Sequence, residues 1–151
     1  SISTGVLGQT GIETAEYIKG IADLINPKTV IVIDALASRK LSRLGKTVQL
    51  SDTGISPGAG VGNNRARIDE ETLGIPVIAI GIPTVVDGKT LVCDLVENNC
   101  KIDNISKEAE TVMVTPRDID MIIKRASRLL ALSINCALQP HIEPEFLLSI
   151  M

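Results

Sequence analysis

Aromatic side chains are nearly missing: the 151 residues hold no Trp, and Tyr17 and Phe146 stand alone. Base-stacking nucleic-acid modules need aromatic platforms, so the sequence has no means of building one. Excess positive charge is missing too. A formal charge of −3 gives no electrostatic reason to seek a polyanion, and neither DNA nor RNA is expected as a partner. No apolar run reaches 18 residues without a charge or a glycine, so no membrane partner is expected. Histidine occurs once, at His141, with no cysteine beside it, which disfavours both a Ser-His-Asp triad and a zinc site. Cys93, Cys100 and Cys136 show no CxxC spacing. Their odd count, without a secretory apolar segment, fits reduced thiols and a cytoplasmic location. No cofactor or metal is expected.

What is abundant is aliphatic. A chain of this length is of one-domain size and can bury roughly 68–70% of its unfolded surface, so a single α/β domain over residues 1–151 is expected. Thr29-Val30-Ile31-Val32-Ile33-Asp34 and Ile75 to Val86, ending in Asp87, are runs rich in Val and Ile. They suit strands covered on both faces, as in a parallel sheet flanked by helices. Thr10-Gly11-Ile12-Glu13 has capping-box form ahead of a helix with Ile12, Ala15, Ile18, Ala22 and Ile25 near helical period. Further helices are expected over about 38–44, 69–73, 116–136 and 143–150, with Thr115 as N-cap and Pro116 at the first position of the long one. Short strands are expected at 47–50 and 111–114, and a surface connection at 97–101. The alternation points to a three-layer α/β/α sandwich with a mostly parallel sheet.

In such sheets ligands gather at the carboxyl ends of the strands. Asp34 sits at one of those ends, where a carboxylate costs stability unless it is used or paired, and it is the first catalytic candidate. It reads equally as a cap or an acceptor for backbone amides. Asp52 and Asp87, each in a setting that includes a following glycine, read as turn residues. Gly58-Ala59-Gly60-Val61-Gly62-Asn63 follows Pro57 rather than a strand, and lacks both the dinucleotide fingerprint and the Lys-Ser/Thr of a P-loop. Gly58 and Gly60 suit a loop that lets backbone approach a substrate closely. Arg65 and Arg67 suit a substrate carboxylate or plain solvation.

Several long segments, in order, closely resemble the germination protease family of endospore-forming bacteria. They are Gly5 to Thr14, Ile33-Asp34-Ala35-Leu36-Ala37-Ser38-Arg39, Ser51 to Ile55 with Pro57-Gly58 and Gly60 to Asn63, Ile75 to Asp87, and Met113-Val114-Thr115-Pro116. The resemblance implies a fold related to the hydrogenase maturation proteases and an endopeptidase acting on small acid-soluble spore proteins in the spore core. It also implies zymogen synthesis, a homotetramer, and an aspartic-type mechanism with two aspartates. Asp34 is the counterpart of one; the other, with the first strands of the sheet, belongs to an N-terminal portion with no counterpart here. Ser1-Ile2-Ser3-Thr4-Gly5 reads as the interior of a loop, so the chain is expected to be the C-terminal part of a longer protease and inactive alone. The alternatives are a hydrogenase-maturation-type protease and a non-catalytic anion-binding module using the glycine loop.

Overall fold

The computed structural model describes residues 1–63, 65–96 and 105–150. Its described residues form six α-helices and a mixed sheet of four strands. They fall into two compact units, Ser1–Thr115 and Pro116–Met151.

The first unit is built on two long strands. β1 (Val30–Ser38) and β3 (Val77–Asp87) pair in parallel from Val30↔Val77 to Ser38↔Val86. β3 is central and the more deeply buried, with Val77 and Val86 almost inaccessible. β1 lies at the end of the strand order and leaves Ile33 half exposed. The expectation of a mostly parallel sheet is corrected here. β2 (Gln49–Ser51) and β4 (Met113–Val114) both run antiparallel to β3. The chain leaves β1 at its carboxyl end, and the stretch 39–48 is shorter than the dozen or more residues that a parallel crossover takes, so β2 descends. β4 likewise meets β3 at its carboxyl end, Met113 opposite Asp87.

Before β1 lie two helices, α1 (Leu7–Thr10) and α2 (Thr14–Ile25). The expected capping box does not form: Thr10 closes α1, its hydroxyl accepting from the Ile12 amide at 3.2 Å, and Glu13 is the N-cap of α2 without a side-chain cap bond. Alternation along β1 puts Val30, Val32 and Asp34 on one face. Val30 and Val32 pack there with Ala15 and Ile18 of α2 around Ile68, Leu73 and Val77. Asp34 therefore stands where that apolar row ends.

Between β2 and β3, α3 (Glu70–Leu73) starts from Asp69, whose carboxylate accepts from the Thr72 amide at 3.0 Å while the Thr72 hydroxyl accepts from the Asp69 amide. Gly74 ends it in the left-handed conformation, as the sequence predicts. The helix expected over 38–44 is only a single 3-10 turn at Leu41–Arg43, because β1 runs on to Ser38. Asp87, read as a turn residue, instead caps α4 (Gly88–Leu95), accepting from the Thr90 amide at 2.7 Å and its hydroxyl at 2.6 Å. Cys93 on α4 is disulfide-bonded, which overturns the expectation of reduced thiols throughout, whereas Cys136 is a free thiol. The surface connection expected at 97–101 lies outside the described residues.

The second unit holds α5 (Ile119–Leu138) and α6 (Pro144–Ser149), which bury Leu130 and Leu147. α5 begins after Asp118 rather than at Pro116. Thr115, expected as its N-cap, ends the first unit, and its hydroxyl donates to the Thr84 carbonyl at 2.9 Å. Among the described residues no helix is long and apolar enough to cross a membrane.

Candidate active site

Three segments converge on the carboxyl half of β1, where Asp34, expected at the strand's end, stands midway because the strand runs on to Ser38. The first is β1 itself, where the run of valines and isoleucines gives way to Asp34-Ala35-Leu36-Ala37. The Asp34 carboxylate accepts one hydrogen bond, from the Ala35 amide at 2.8 Å. Burial among apolar neighbours pushes its pKa above the ordinary aspartate value, and the Ala35 amide offsets only part of that. Among the described residues neither a cation nor a second acid contributes to the shift.

The second segment is the glycine loop. A two-way bridge, Ile55 amide to Ile68 carbonyl and back, both at 2.9 Å, pins its base. Gly58 takes φ 74°, and a Cβ there would collide with the Asn63 carbonyl. At Gly60 a Cβ would come within 2.6 Å of the Ala37 Cβ, so the loop rests directly on β1 beyond Asp34. The amides of Ala59, Val61 and Asn63 are spent inside the loop, on the carbonyls of Ser56, Gly58 and Gly58.

The third is the bend in β3. The parallel register slips between Leu36 and Ala37, with Pro83 opposite the one and Val85 opposite the other, leaving Thr84 as the extra residue. Proline has no N–H for the ladder, and a bulge is the usual accommodation inside a sheet.

Two cavities meet at Asp34. The larger, ≈ 590 Å³, runs from Asp34 along β1 between α2 and the N-terminal segment, and is lined also by Gly58 and Arg65. The smaller, ≈ 220 Å³, lies between β1 and the glycine loop and is lined by Asp34, Ser56, Gly58, Gly60 and Thr84 among others. The residues singled out in the sequence, Asp34, Gly58, Gly60 and Arg65, are thus brought together around one aspartate. Arg65 is not simply solvated: its Nη1 donates to Glu13 Oε1 at 3.1 Å, both side chains being about a third exposed. His141 lies in the second unit and is exposed. Among the described residues no three His, Cys, Asp or Glu side chains are grouped to hold a metal.

Sequence reasoning missed Glu13, Ser56 and Thr84. A proline within an otherwise central apolar strand is a signal of a bulge and could have drawn attention to Thr84. Nothing in the spacing of Glu13 and Arg65 announces their pairing.

The family model described as germination protease matches residues 1–111. The germination protease of Clostridium perfringens (strain ATCC 13124) is 48% identical over 169 residues, covering 93% of this chain and 52% of that protein. That of Caldanaerobacter subterraneus subsp. tengcongensis is 45% identical over 168 residues, with 93% and 52% covered. A germination protease of Bacillus pumilus is 56% identical over 97 residues, 64% of this chain and 26% of that protein. The chain spans about half the length of the first two relatives. On these matches, the chain belongs to the germination protease family.

Proposed function

We propose that this chain carries the Asp34 half of an endopeptidase that degrades small acid-soluble spore proteins during germination. The observation that carries the reading is a half-buried carboxyl with a raised pKa at the meeting point of two cavities. Perturbed acids in clefts are where hydrolytic chemistry is found. Hydrolysis of a peptide bond by carboxylates divides the labour between two acids. One, ionised, takes a proton from water as its oxygen attacks the carbonyl carbon. The other, protonated, delivers a proton to the nitrogen as the C–N bond breaks. Asp34 is suited to hold the proton, and the ionised partner belongs to the part of the longer relatives that this chain does not span. The 151-residue chain is then inactive alone, and the polypeptide of the relatives' length is the active species. That species is taken to be a homotetramer made as a zymogen in the spore core. Its complete fold is a three-layer α/β/α sandwich akin to the hydrogenase maturation proteases, of which residues 1–151 form the C-terminal domain.

Asp34 is the catalytic residue of this reading, and Gly58, Gly60 and Arg65 bind substrate around it. A module binding anions on the glycine loop is disfavoured, because three of the amides it would need already serve loop carbonyls. The test is cleavage of a purified small acid-soluble spore protein by the full-length polypeptide, by its Asp34→Asn variant and by the 151-residue chain. Turnover by the first alone is expected. Undiminished turnover by the Asp34→Asn variant overturns the assignment.

A further inference from the structure

The smaller cavity holds two hydroxyls from separate segments, and neither has a protein partner among the described residues. The Ser56 side chain makes no hydrogen bond, although its carbonyl accepts from the Ala59 amide. The Thr84 hydroxyl makes none among the described residues either, although its carbonyl accepts from Thr115. Both residues are half-buried and line the cavity with Asp34.

Their placement is built rather than incidental. From Val77 to Val86, Thr84 is the sole polar side chain in β3. Valine has the same shape and suits a strand at least as well, so packing alone gives no reason for a hydroxyl there. The bulge opposite Leu36 and Ala37 sets Thr84 apart from the register, and its carbonyl is tied by Thr115. Bulges recur beside active sites because they re-aim one side chain. Ser56 is fixed from the other side by the Ile55–Ile68 bridge and the left-handed Gly58. A hydroxyl both donates and accepts, which matches the alternating carbonyl and N–H groups of a peptide backbone.

We propose that Ser56 and Thr84 are substrate-binding residues, holding the backbone of the peptide to be cleaved in the smaller cavity beside Asp34. The inference rests on the peptidase reading above. Each hydroxyl makes one hydrogen bond to a peptide unit, fixing the chain so that the scissile carbonyl stays within reach of Asp34. Side-chain specificity then belongs to the larger cavity, with its isoleucine-rich wall.

The experiment measures kcat and KM for a purified small acid-soluble spore protein, using the full-length polypeptide and its Thr84→Val, Thr84→Ser, Ser56→Ala and Asp34→Asn variants, with a melting curve for each. Loss of one neutral hydrogen bond predicts a fall in kcat/KM of roughly tenfold for Thr84→Val and about three- to tenfold for Ser56→Ala. Thr84→Ser, which keeps the hydroxyl, should recover most of the loss with an unchanged melting curve. The proposal is overturned by Thr84→Val and Ser56→Ala both within about twofold of wild type, or by Thr84→Ser no better than Thr84→Val. If Thr84→Val does not fold, Ser56→Ala, on a different segment, decides alone. Loss of turnover in Asp34→Asn with full turnover in the hydroxyl variants sinks this inference only. Full turnover in Asp34→Asn sinks instead the assignment of Asp34, on which the peptidase reading of this site rests.

Discussion

The two long strands run side by side, and each carries one aspartate, Asp34 midway along β1 and Asp87 at the end of β3, yet the two carboxyls are treated in opposite ways. At Asp87 burial raises the pKa, but the hydroxyl and amide of Thr90 and the amides of Asp87 and Lys89 outweigh it, leaving the group below its ordinary value. At Asp34 burial prevails over a single amide, and the value ends above it. Asp87 caps a helix and its charge is matched by donors. Asp34 has no helix to cap, because β1 continues for four more residues to Ser38. The difference separates an aspartate that the fold uses from one that the fold merely tolerates. It makes the second the natural seat of chemistry.

The largest effect that sharpens this contrast is on turnover. In the full-length polypeptide Asp34→Asn should lower kcat by about 10²–10⁴, the usual share of a general acid, while Asp87→Asn should leave it close to wild type. Equal losses in steady-state cleavage assays would erase the distinction. Next comes Gly58→Ala, which places a side chain at positive φ against the Asn63 carbonyl. A destabilisation of about 2–3 kcal/mol is expected from urea unfolding, and an unchanged midpoint would show that the Gly58–Asn63 turn relaxes around the added side chain. Removing the α4 cap with Asp87→Ala should cost about 1 kcal/mol, read from the same measurement.

The pH dependence of stability gives the smallest and most direct comparison. Asp87, and Asp69 with its Thr72 and Arg67 partners, have lowered values in the folded protein. Their stabilisation is therefore present above the unfolded aspartate pKa and is lost as pH falls through the folded values. Asp34 has the opposite sign. Its contribution is full below the unfolded pKa and is lost as pH rises through the raised folded value, so its ionisation weakens the protein at neutral pH. Asp34→Asn should accordingly melt higher than wild type at pH 7 and no higher at pH 3, by calorimetry. A variant less stable at both would mean that the carboxylate is held by donors after all.

Much of this was legible from residue order. The apolar runs marked β1 and β3, Asp69 and Gly74 bracketed α3, and the aspartate after the first apolar run marked the site, because each signal is local; that Asp34 would end its strand did not hold, since β1 runs on to Ser38. The failures have separate causes. Strand direction at β2 depends on where the chain can reach in ten residues, not on its side chains. Glu13 looked like the far half of a capping box, but its carboxylate is taken by Arg65, 52 residues away. Asp87 before Gly88 carries ordinary turn chemistry, and only the helix that follows shows it to be a cap. Thr115 had the form of an N-cap and was claimed instead by the bulge. For Glu13 and Thr115 a distant partner displaced the neighbour in sequence, whereas Asp87 kept a local one, Thr90, three residues on.

One consequence of the parallel ladder concerns how the molecule comes together. Val30 finds Val77 only after everything between them has been synthesised, so the central pairing is non-local and its formation slow. Until then Val30-Ile31-Val32-Ile33 is a sticky, strand-prone tetrad without its neighbour. Lys28 on one side and Asp34, Arg39 and Lys40 on the other place charges at its borders, the arrangement that discourages nascent chains from clumping. On this view the same carboxylate guards the segment during folding that later stands ready beside the substrate.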